Sequence, residues 1–238
     1  MKTTIRTLAL AGVLGASLLG AQTSTTAQSP TAGCGALATP AAGMMDHGHG
    51  GHGMDMGTPG DMHGQHVEFD QMYIDMMIPH HESVMALAEV ALPELTDPRL
   101  TAIARAIIDA QGPEIAELEQ LRDEWYGSPE PAAMDDAMMG MMMEAMPGMG
   151  SAEHQMQVMS ADWQVQTYCA AADKDLAFID QVIPHHQMAI DSSRTAVEKA
   201  IHPELKEIAA RVITDQQAEI DELEAIRADL TGAATPAS

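Results

Sequence analysis

The sequence predicts an all-α protein, a four-helix bundle built from two repeated helical hairpins. Apolar residues recur at alternating spacings of three and four in four segments, as they do on one face of an α-helix. A constant shift of 105 residues, which places Asp75 on Asp180 and Pro98 on Pro203, superposes the second half on the first without a gap. Each hairpin carries one apolar stripe, which it can bury only by packing against the other hairpin.

Composition changes along the chain indicate how the chain is divided. The expected divisions are a signal peptide (1–21), a disordered His- and Met-rich tail (22–65), a first helical hairpin (66–126), a Met-rich insertion (127–158), a second helical hairpin (159–231) and a short tail (232–238). The 22–65 segment is dominated at first by small residues and Pro, a composition that cannot build a packed core.

The N-terminus is typical of an export signal. Lys2 and Arg6 precede an apolar run from Leu8 to Ala21, which is too short and too rich in Gly for a membrane span. A helix of the fold is the alternative. We expect a periplasmic or secreted protein with no membrane span after signal removal. Cys34 lies too far from the apolar run for a lipid anchor. Export would permit a disulfide, but a free, buried Cys169 is equally well supported.

Charge and composition restrict the function. A net charge of −24 argues against nucleic acid and anionic membranes as partners. The chain holds 21 Met and 11 His, but only 2 Trp, 3 Tyr and 2 Phe. Ordinary cores use Met as a gap-filler, whereas Met and His together suit copper, above all Cu(I). The composition therefore favours a protein that binds copper ions, with silver as a second candidate.

Two tracts outside the hairpins are rich in Met or His. In the tail, Gly separates ligands that recur every two to four residues, so several could converge on one ion; a solubilising spacer is the alternative. The insertion is expected to be mobile and partly helical. The candidate auxiliary ligands are His47, His49, His52, Met54, Met56, Met62, His63 and His66 in the tail, and Met138, Met139, Met141, Met142, Met143 and Met146 in the insertion.

The tetrapeptide Ile-Pro-His-His occurs once in each hairpin, at 78–81 and at 183–186. Proline removes a helix hydrogen bond, and histidine is a poor core residue but a common metal ligand. Adjacent helical residues point about 100° apart. We therefore expect His81 and His186, which lie on the apolar stripes, to face inward, and His80 and His185 to lie at the rim.

Polar residues interrupt the apolar stripe of the second helix in each hairpin. Gln111 and Glu114 in the first repeat correspond to Gln216 and Glu219 in the second. A buried polar group without a partner costs about 1–3 kcal/mol, so either a metal ion or a closed hydrogen-bond network must satisfy these four. The candidate bundle ligands are Asp75, Met76, Met77, His80, His81, Met85, Gln111, Glu114, Asp180, His185, His186, Met188, Gln216 and Glu219.

The repeated combination of Asp-x-x-Ile-Pro-His-His with a later Gln-x-x-Glu-Ile-x-x-Leu resembles a known family. Both Asp75–Leu118 and Asp180–Leu223 resemble the exported bacterial family called domain of unknown function 305. The resemblance implies a ferritin-like four-helix bundle. It also implies a role in copper or silver handling, because some members are CopM-like periplasmic copper-binding proteins. The chain lacks a pair of Glu-x-x-His motifs, which argues against oxidase chemistry at a di-iron centre.

The leading hypothesis is an exported, non-enzymatic protein that sequesters or carries Cu(I), Cu(II) or Ag(I) through Met and His. A copper transporter or chaperone is the candidate partner. One alternative is a ferritin-like redox enzyme that uses the His/Gln/Glu level as a metal centre. The other is a structural bundle in which that level is only a hydrogen-bond network.

Overall fold

A computed structural model describes residues 33–36, 68–146 and 150–232. Within these ranges all regular structure is helical, which confirms the all-α prediction. The predicted signal peptide and the predicted His/Met tract of the tail lie outside the described residues. The helices are α1 (Phe69–Ala91), α2 (Pro98–Tyr126), α3 (Asp136–Ala145), α4 (Ala152–Val158), α5 (Ala161–Ala170), α6 (Lys174–Lys199) and α7 (Pro203–Thr231), and Cys34–Ala36 form a short 3-10 turn.

The long helices form two hairpins, α1–α2 and α6–α7, and the hairpins pack against each other mainly through α1 and α6. Pro98 and Pro203 begin α2 and α7, at a position where a missing N–H costs nothing. Gly127 and Gly232 follow the two helices with φ of 80° and 68°, the left-handed conformation that glycine adopts without strain. Equivalent residues of the two repeats therefore set equivalent helix ends.

Each hairpin also caps the other. The buried carboxylate of Asp70, next to the start of α1, accepts backbone N–H groups from Ile201 and His202 before α7, at 2.9–3.0 Å. The carboxylate of Asp175, in α6, accepts N–H groups from Thr96 and Asp97 before α2, at 2.8 and 3.1 Å. These aspartates are equivalent in the two repeats and join the hairpins at both ends of the bundle.

The apolar interior consists of two clusters with a polar layer between them. One cluster includes Met72–Ile78 of α1 and packs against the second half of α6 and the first half of α7. The other includes Val84, Leu87 and Ala88 of α1 and packs against the first half of α6. The Ile-Pro-His-His segments end in the layer that separates these clusters, at the middle of α1 and α6.

The insertion is more ordered than its composition suggests. Residues 136–145 form α3, which packs on α1; its Met138, Met139 and Met142 are buried, as is Met146 just after the helix. The helix agrees with the partly helical expectation, whereas the burial of these four methionines does not fit a mobile tract. The sequence argument considered one face of one helix, whereas these methionines contribute to one of the apolar clusters of the bundle.

Cys34 and Cys169 form a disulfide, with their Cα atoms 5.4 Å apart. The sequence left a disulfide and a free, buried Cys169 as alternatives, and the structure has the disulfide. The 3-10 turn at Cys34–Ala36 places Cys34 against the end of α5, beside the α1–α2 loop at Glu94. Disulfides persist in oxidising compartments, so the bond agrees with a protein that has left the cytosol. Among the described helices, none is both long and apolar enough to cross a membrane.

Candidate metal centre

Four imidazoles form a row across the polar layer. The ring centres of His80 and His185 are 3.7 Å apart, and those of His81 and His186 lie 5.9 and 6.0 Å farther out on either side. All four residues have no exposed surface. The row runs from the interior of one hairpin, through the interface between α1 and α6, to the interior of the other.

The inner pair is bonded reciprocally. His80 Nε2–H donates to the carbonyl of His185 at 3.1 Å, and His185 Nε2–H donates to the carbonyl of His80 at 3.0 Å. The Ser83 hydroxyl donates to the carbonyls of His80 and Val158 and lies 3.0 Å from His185 Nε2. Ser83 thus connects the row to the end of α4.

The prediction that His80 and His185 lie at the rim is wrong. Adjacent histidines do point in different directions, but each direction meets protein. His81 faces α2 of its own hairpin, whereas His80 faces α6 of the other hairpin. A stripe defined within one hairpin cannot reveal this second buried face, because that face exists only after the hairpins have packed.

The outer pair contacts the acidic residues of the polar level. His81 Nε2 lies 3.1 Å from Glu114 Oε2, and His186 Nε2 lies 2.6 Å from Glu219 Oε2. The glutamates reach the surface, with 15% and 18% of their side chains exposed. The structure therefore brings together the predicted His and Glu of each repeat in the same way.

The second nitrogen of each ring, Nδ1, is the candidate ligand atom. Each Nε2 faces an oxygen acceptor and so carries a proton, and the lone pair of a neutral ring then lies on Nδ1. In the described part of the chain, none of the four Nδ1 atoms has a hydrogen-bond partner. Histidines that ligate metals show this division, with one ring N–H donated to a carboxylate or backbone carbonyl and the other nitrogen available to the ion.

Burial keeps the inner pair neutral. Desolvation lowers the pKa of His80 and of His185 well below the ordinary value, and the neighbouring histidines lower it further. A second imidazolium beside the first would add repulsion to the cost of burying a charge. Both rings are therefore uncharged near neutral pH, the form in which imidazole can bind a metal ion.

The remaining predicted residues divide into two groups. Gln111 and Gln216 are buried, and neither amide has a partner among the described residues. Buried Met76, Met77 and Met188 lie four, three and two residues along the chain from the nearest row histidine. Half-buried Met85 packs close to Gly112, next to Gln111.

The two aspartates are engaged with arginines, which sequence reasoning missed. Asp75 pairs with Arg122, and Asp180 pairs with Arg227 at 2.8 Å. Asp75 is fully buried and keeps one oxygen, Oδ2, without a partner within the described ranges, whereas Asp180 is half exposed. The shift between the repeats also places Arg122 on Arg227, a signal that could have identified both pairs.

The residues form a potential site and not a complete one. Across the residues that the structure describes, no three His, Cys, Asp or Glu side chains are grouped in a way that could hold a metal ion. Thioether and amide groups would have to complete the coordination. These thioether and amide groups are buried and uncharged, and such ligands suit a soft ion better than Zn²⁺ or a hard divalent cation.

Comparison with models of known protein families shows which family the chain belongs to. A family model described as "Domain of unknown function (DUF305)" matches residues 70–227. The chain belongs to the DUF305 family. The match covers both repeats and the whole row of histidines. The resemblance inferred from Ile-Pro-His-His and Gln-x-x-Glu is thereby confirmed.

Solved structures with this DUF305 fold include CopM, which has been solved with Cu(I), Cu(II) and silver bound. The Cu(II)-bound form is 31% identical with a TM-score of 0.55, and the match covers 68% of this chain and 97% of CopM. The Cu(I)-bound form is 28% identical with a TM-score of 0.53, covering 68% and 96%. The similarity thus extends over nearly the whole length of CopM and over about two thirds of this DUF305 protein.

Two further relatives are more distant or shorter. A DUF305 fragment from Deinococcus radiodurans is 19% identical with a TM-score of 0.50, covering 66% of this chain and 94% of the fragment, which shows the fold alone. Uncharacterized protein L153 of Acanthamoeba polyphaga mimivirus is 38% identical over 52 residues, or 22% of this chain. The chain spans about a third of the length of that curated relative, since the match covers 34% of it.

Proposed function

We propose that this protein is an exported, non-enzymatic copper-binding protein that sequesters or carries Cu(I), Cu(II) or Ag(I). The observation that carries the proposal is the row of four buried imidazoles whose Nδ1 atoms have no partner within the described residues. The similarity to CopM, solved with copper and silver, supports the same class of ion. The disulfide agrees with a periplasmic or secreted location.

In the bundle, the proposed ligand atoms are imidazole nitrogens, amide oxygens, thioether sulfurs and one carboxylate oxygen. Nδ1 of His81 and His186 and the amide oxygens of Gln111 and Gln216 would be joined by nearby thioethers, and Nδ1 of His80 and His185 lies between them. The buried Oδ2 of Asp75 is a further donor. Glu114 and Glu219 would hold the outer rings in orientation through their Nε2–H groups, as carboxylates do for metal-bound histidines.

The auxiliary tracts remain part of the proposal. The tail tract would add imidazole and thioether ligands. In the insertion, half-buried Met141 and Met143 would add thioether ligands. Ligands held in several places could accept an ion and release it to another protein. We propose a copper transporter or chaperone as the recipient, because a carrier must deliver its ion by ligand exchange.

A purely structural hydrogen-bond network is the second candidate. The contacts of His81 with Glu114 and of His186 with Glu219 favour it, as does the lack of three convergent His, Cys, Asp or Glu ligands in the described ranges. Under this alternative, the unpartnered Nδ1 and amide atoms would only be a destabilising cost.

A matched pair of substitutions separates the two candidates. In H81Q/H186Q, the glutamine side-chain nitrogen can replace Nε2–H and keep the bond to glutamate, but the Nδ1 lone pair is lost. In H81N/H186N, an amide group occupies the Nδ1 position, but the donor to glutamate is lost. Cu(I) is titrated anaerobically, and Ag(I) and Cu(II) in air, against wild type and both variants.

We expect H81Q/H186Q to bind fewer Cu(I) or Ag(I) ions per chain while it keeps most of its thermal stability. We expect metal to raise the wild-type melting temperature, since an ion bound to the folded state stabilises it by mass action. Equal stoichiometry in wild type and H81Q/H186Q, with a large stability loss in H81N/H186N, would instead identify the level as a structural network.

A further inference from the structure

A cleft outside the histidine row is lined by three methionines. It has a volume of about 190 Å³ and is bounded by Pro79, Met134, Met156, Met159 and Ser160. The methionines come from two segments that are distant in the sequence, one before α3 and one in α4 and just after it. Met134 and Met156 lie near opposite ends of the Met-rich insertion and Met159 lies just after it, and the fold brings the three side chains to one cleft.

The cleft borders residues that are adjacent in the chain to the elements of the row. Pro79 precedes His80 in α1. The carbonyl of Val158, adjacent to Met159, accepts the hydroxyl of Ser83 at 2.8 Å, and that hydroxyl lies 3.0 Å from His185 Nε2. Ser83 thus links the inner imidazole pair to the backbone next to one methionine of the cleft.

The cleft is accessible from solvent. Met156 is 55% exposed, and Met134 and Met159 are half-buried. A methionine that serves as core filling is buried, as Met138 and Met142 are in α3. The open volume is several times the share of one water molecule, about 30 Å³, so the cleft has room for an ion with an additional ligand.

Thioethers select the kind of ion. They are neutral, soft ligands that suit Cu(I) and resemble neither the oxygen ligands of Mg²⁺ and Ca²⁺ nor the nitrogen ligands that Cu(II) and Zn²⁺ prefer. A net charge of −24 favours the approach of a cation to the molecule. We propose that the cleft of Met134, Met156 and Met159 is a separate, solvent-accessible site for Cu(I) or Ag(I) beside the histidine row.

This site rests on the proposed function in that it assumes a protein that handles soft metal ions. It adds a location that the repeated motifs do not contain. The cleft admits a monovalent soft ion and discriminates against Cu(II) and Zn²⁺, whereas imidazoles of the row accept either oxidation state of copper. An ion bound in the cleft lies on the solvent side of the inner pair.

The test uses Ag(I), which is stable in air, in chloride-free buffer. In M134L/M156L/M159L the leucines keep the side-chain volume and remove the three sulfur atoms. The control, M72L, removes a sulfur atom from a buried position of α1 that is not among the candidate ligands. Both variants and wild type are titrated calorimetrically and followed by tryptophan fluorescence.

Fluorescence gives a local readout. Trp163 is 37% exposed and lines a depression that shares Met156 and Ser160 with the cleft. The other tryptophan, Trp125, stacks on His202. Every protein in the test also carries W125F, so that Trp163 is the sole tryptophan. A heavy ion bound in the cleft should quench the tryptophan fluorescence of Trp163.

We expect wild type to bind at least one Ag(I) more than M134L/M156L/M159L, and its Trp163 emission to be quenched as that ion binds. The control should keep both the ion and the quenching, and Cu(II) binding should be the same in all three proteins. The proposed metal site in the cleft would be overturned if M134L/M156L/M159L kept the wild-type Ag(I) stoichiometry and quenching, or if the control lost them to the same extent. A wild type that binds no Ag(I) at all would overturn the proposed function as well.

Discussion

At the residue scale, the decisive property is the protonation of the inner histidines. The rings of His80 and His185 are in contact, fully buried and bonded to each other's carbonyl groups. Their lowered pKa values mean that each ring loses its proton on folding whenever the unfolded chain carries one. Folding is therefore coupled to proton release at mildly acidic pH.

This coupling predicts that stability falls when the solution becomes acidic. Because folding lowers the pKa of both histidines, the unfolded state binds more protons than the folded state below the ordinary pKa of 6.5. The contribution of these two histidines to the free energy of unfolding is fully present above that value and is lost as the pH decreases below it. Each histidine contributes a slope of about 1.4 kcal/mol per pH unit in that window. Urea unfolding of the metal-free protein between pH 4.5 and 8 measures it.

H80Q/H185Q should show a shallower pH dependence, because two titrating groups have been removed. H154Q is the control, since His154 is exposed and lies away from the row. Parallel curves for wild type and H80Q/H185Q would show that the inner pair does not release its protons on folding.

At the scale of the helices, the two hairpins are joined by reciprocal caps. Asp70 satisfies N–H groups at the start of α7, and Asp175 satisfies N–H groups at the start of α2. Asp70 also contacts His202 Nδ1 at 2.7 Å, and that ring stacks on Trp125. The first helix of each hairpin therefore stabilises the second helix of the other.

We expect D70N and D175N each to lower the free energy of unfolding by about 2 kcal/mol, because an amide replaces a charged acceptor of several N–H groups. D191N is the control; Asp191 pairs with exposed Arg194, and surface pairs of this kind contribute about 0–1 kcal/mol. Chemical denaturation measures all three. A cost no larger in D70N and D175N than in D191N would contradict the capping role.

The order of α3 changes how the insertion should be tested. Deleting residues 134–149 would remove four buried methionines together with any ligands: Met138, Met139, Met142 and Met146. We expect this deletion to lower the melting temperature of the metal-free protein, because it exposes part of an apolar cluster. Changing half-buried Met141 and Met143 to Leu should leave the melting temperature nearly unchanged. If the deletion left it unchanged too, α3 would not support the bundle.

At the scale of the whole molecule, the disulfide changes the connectivity. Cys34 is bonded to Cys169, and Phe69 begins α1, so the chain between them is attached to the bundle at both ends. The His/Met tract belongs to this connection and not to a free terminus. Bonds between positions 135 residues apart restrict the unfolded chain strongly, by about 4–5 kcal/mol in the chain-entropy account.

Cyanogen bromide, which cleaves after methionine, tests the pairing directly. Cleavage after Met44 and after Met159 and Met188 places Cys34 and Cys169 in separate peptides. Without reductant we expect one disulfide-linked species that contains both peptides, and with reductant two separate masses. Free peptides before reduction, from protein purified under oxidising conditions, would contradict the bond.

Much of the fold and part of the site follow from local pattern. The spacing of Leu100, Ala104, Ile107 and Gln111 predicts the buried face of α2, and these residues are buried. The repeat predicts that His81–Glu114 and His186–Glu219 are equivalent, and they are. Such features depend on helix periodicity and on contacts within one hairpin, which a sequence records as fixed spacings.

The four long helices, the repeat, the polar level and the family follow from the sequence, because each is expressed in regular spacing along one chain segment. Tertiary packing is what brings His80 to His185 and Cys34 to Cys169, packs α3 on the bundle and places three methionines in one cleft. These contacts join segments whose separation carries no periodic signal. They arise from the packing of two hairpins and an insertion, because a surface of one segment becomes buried only when another segment packs against it.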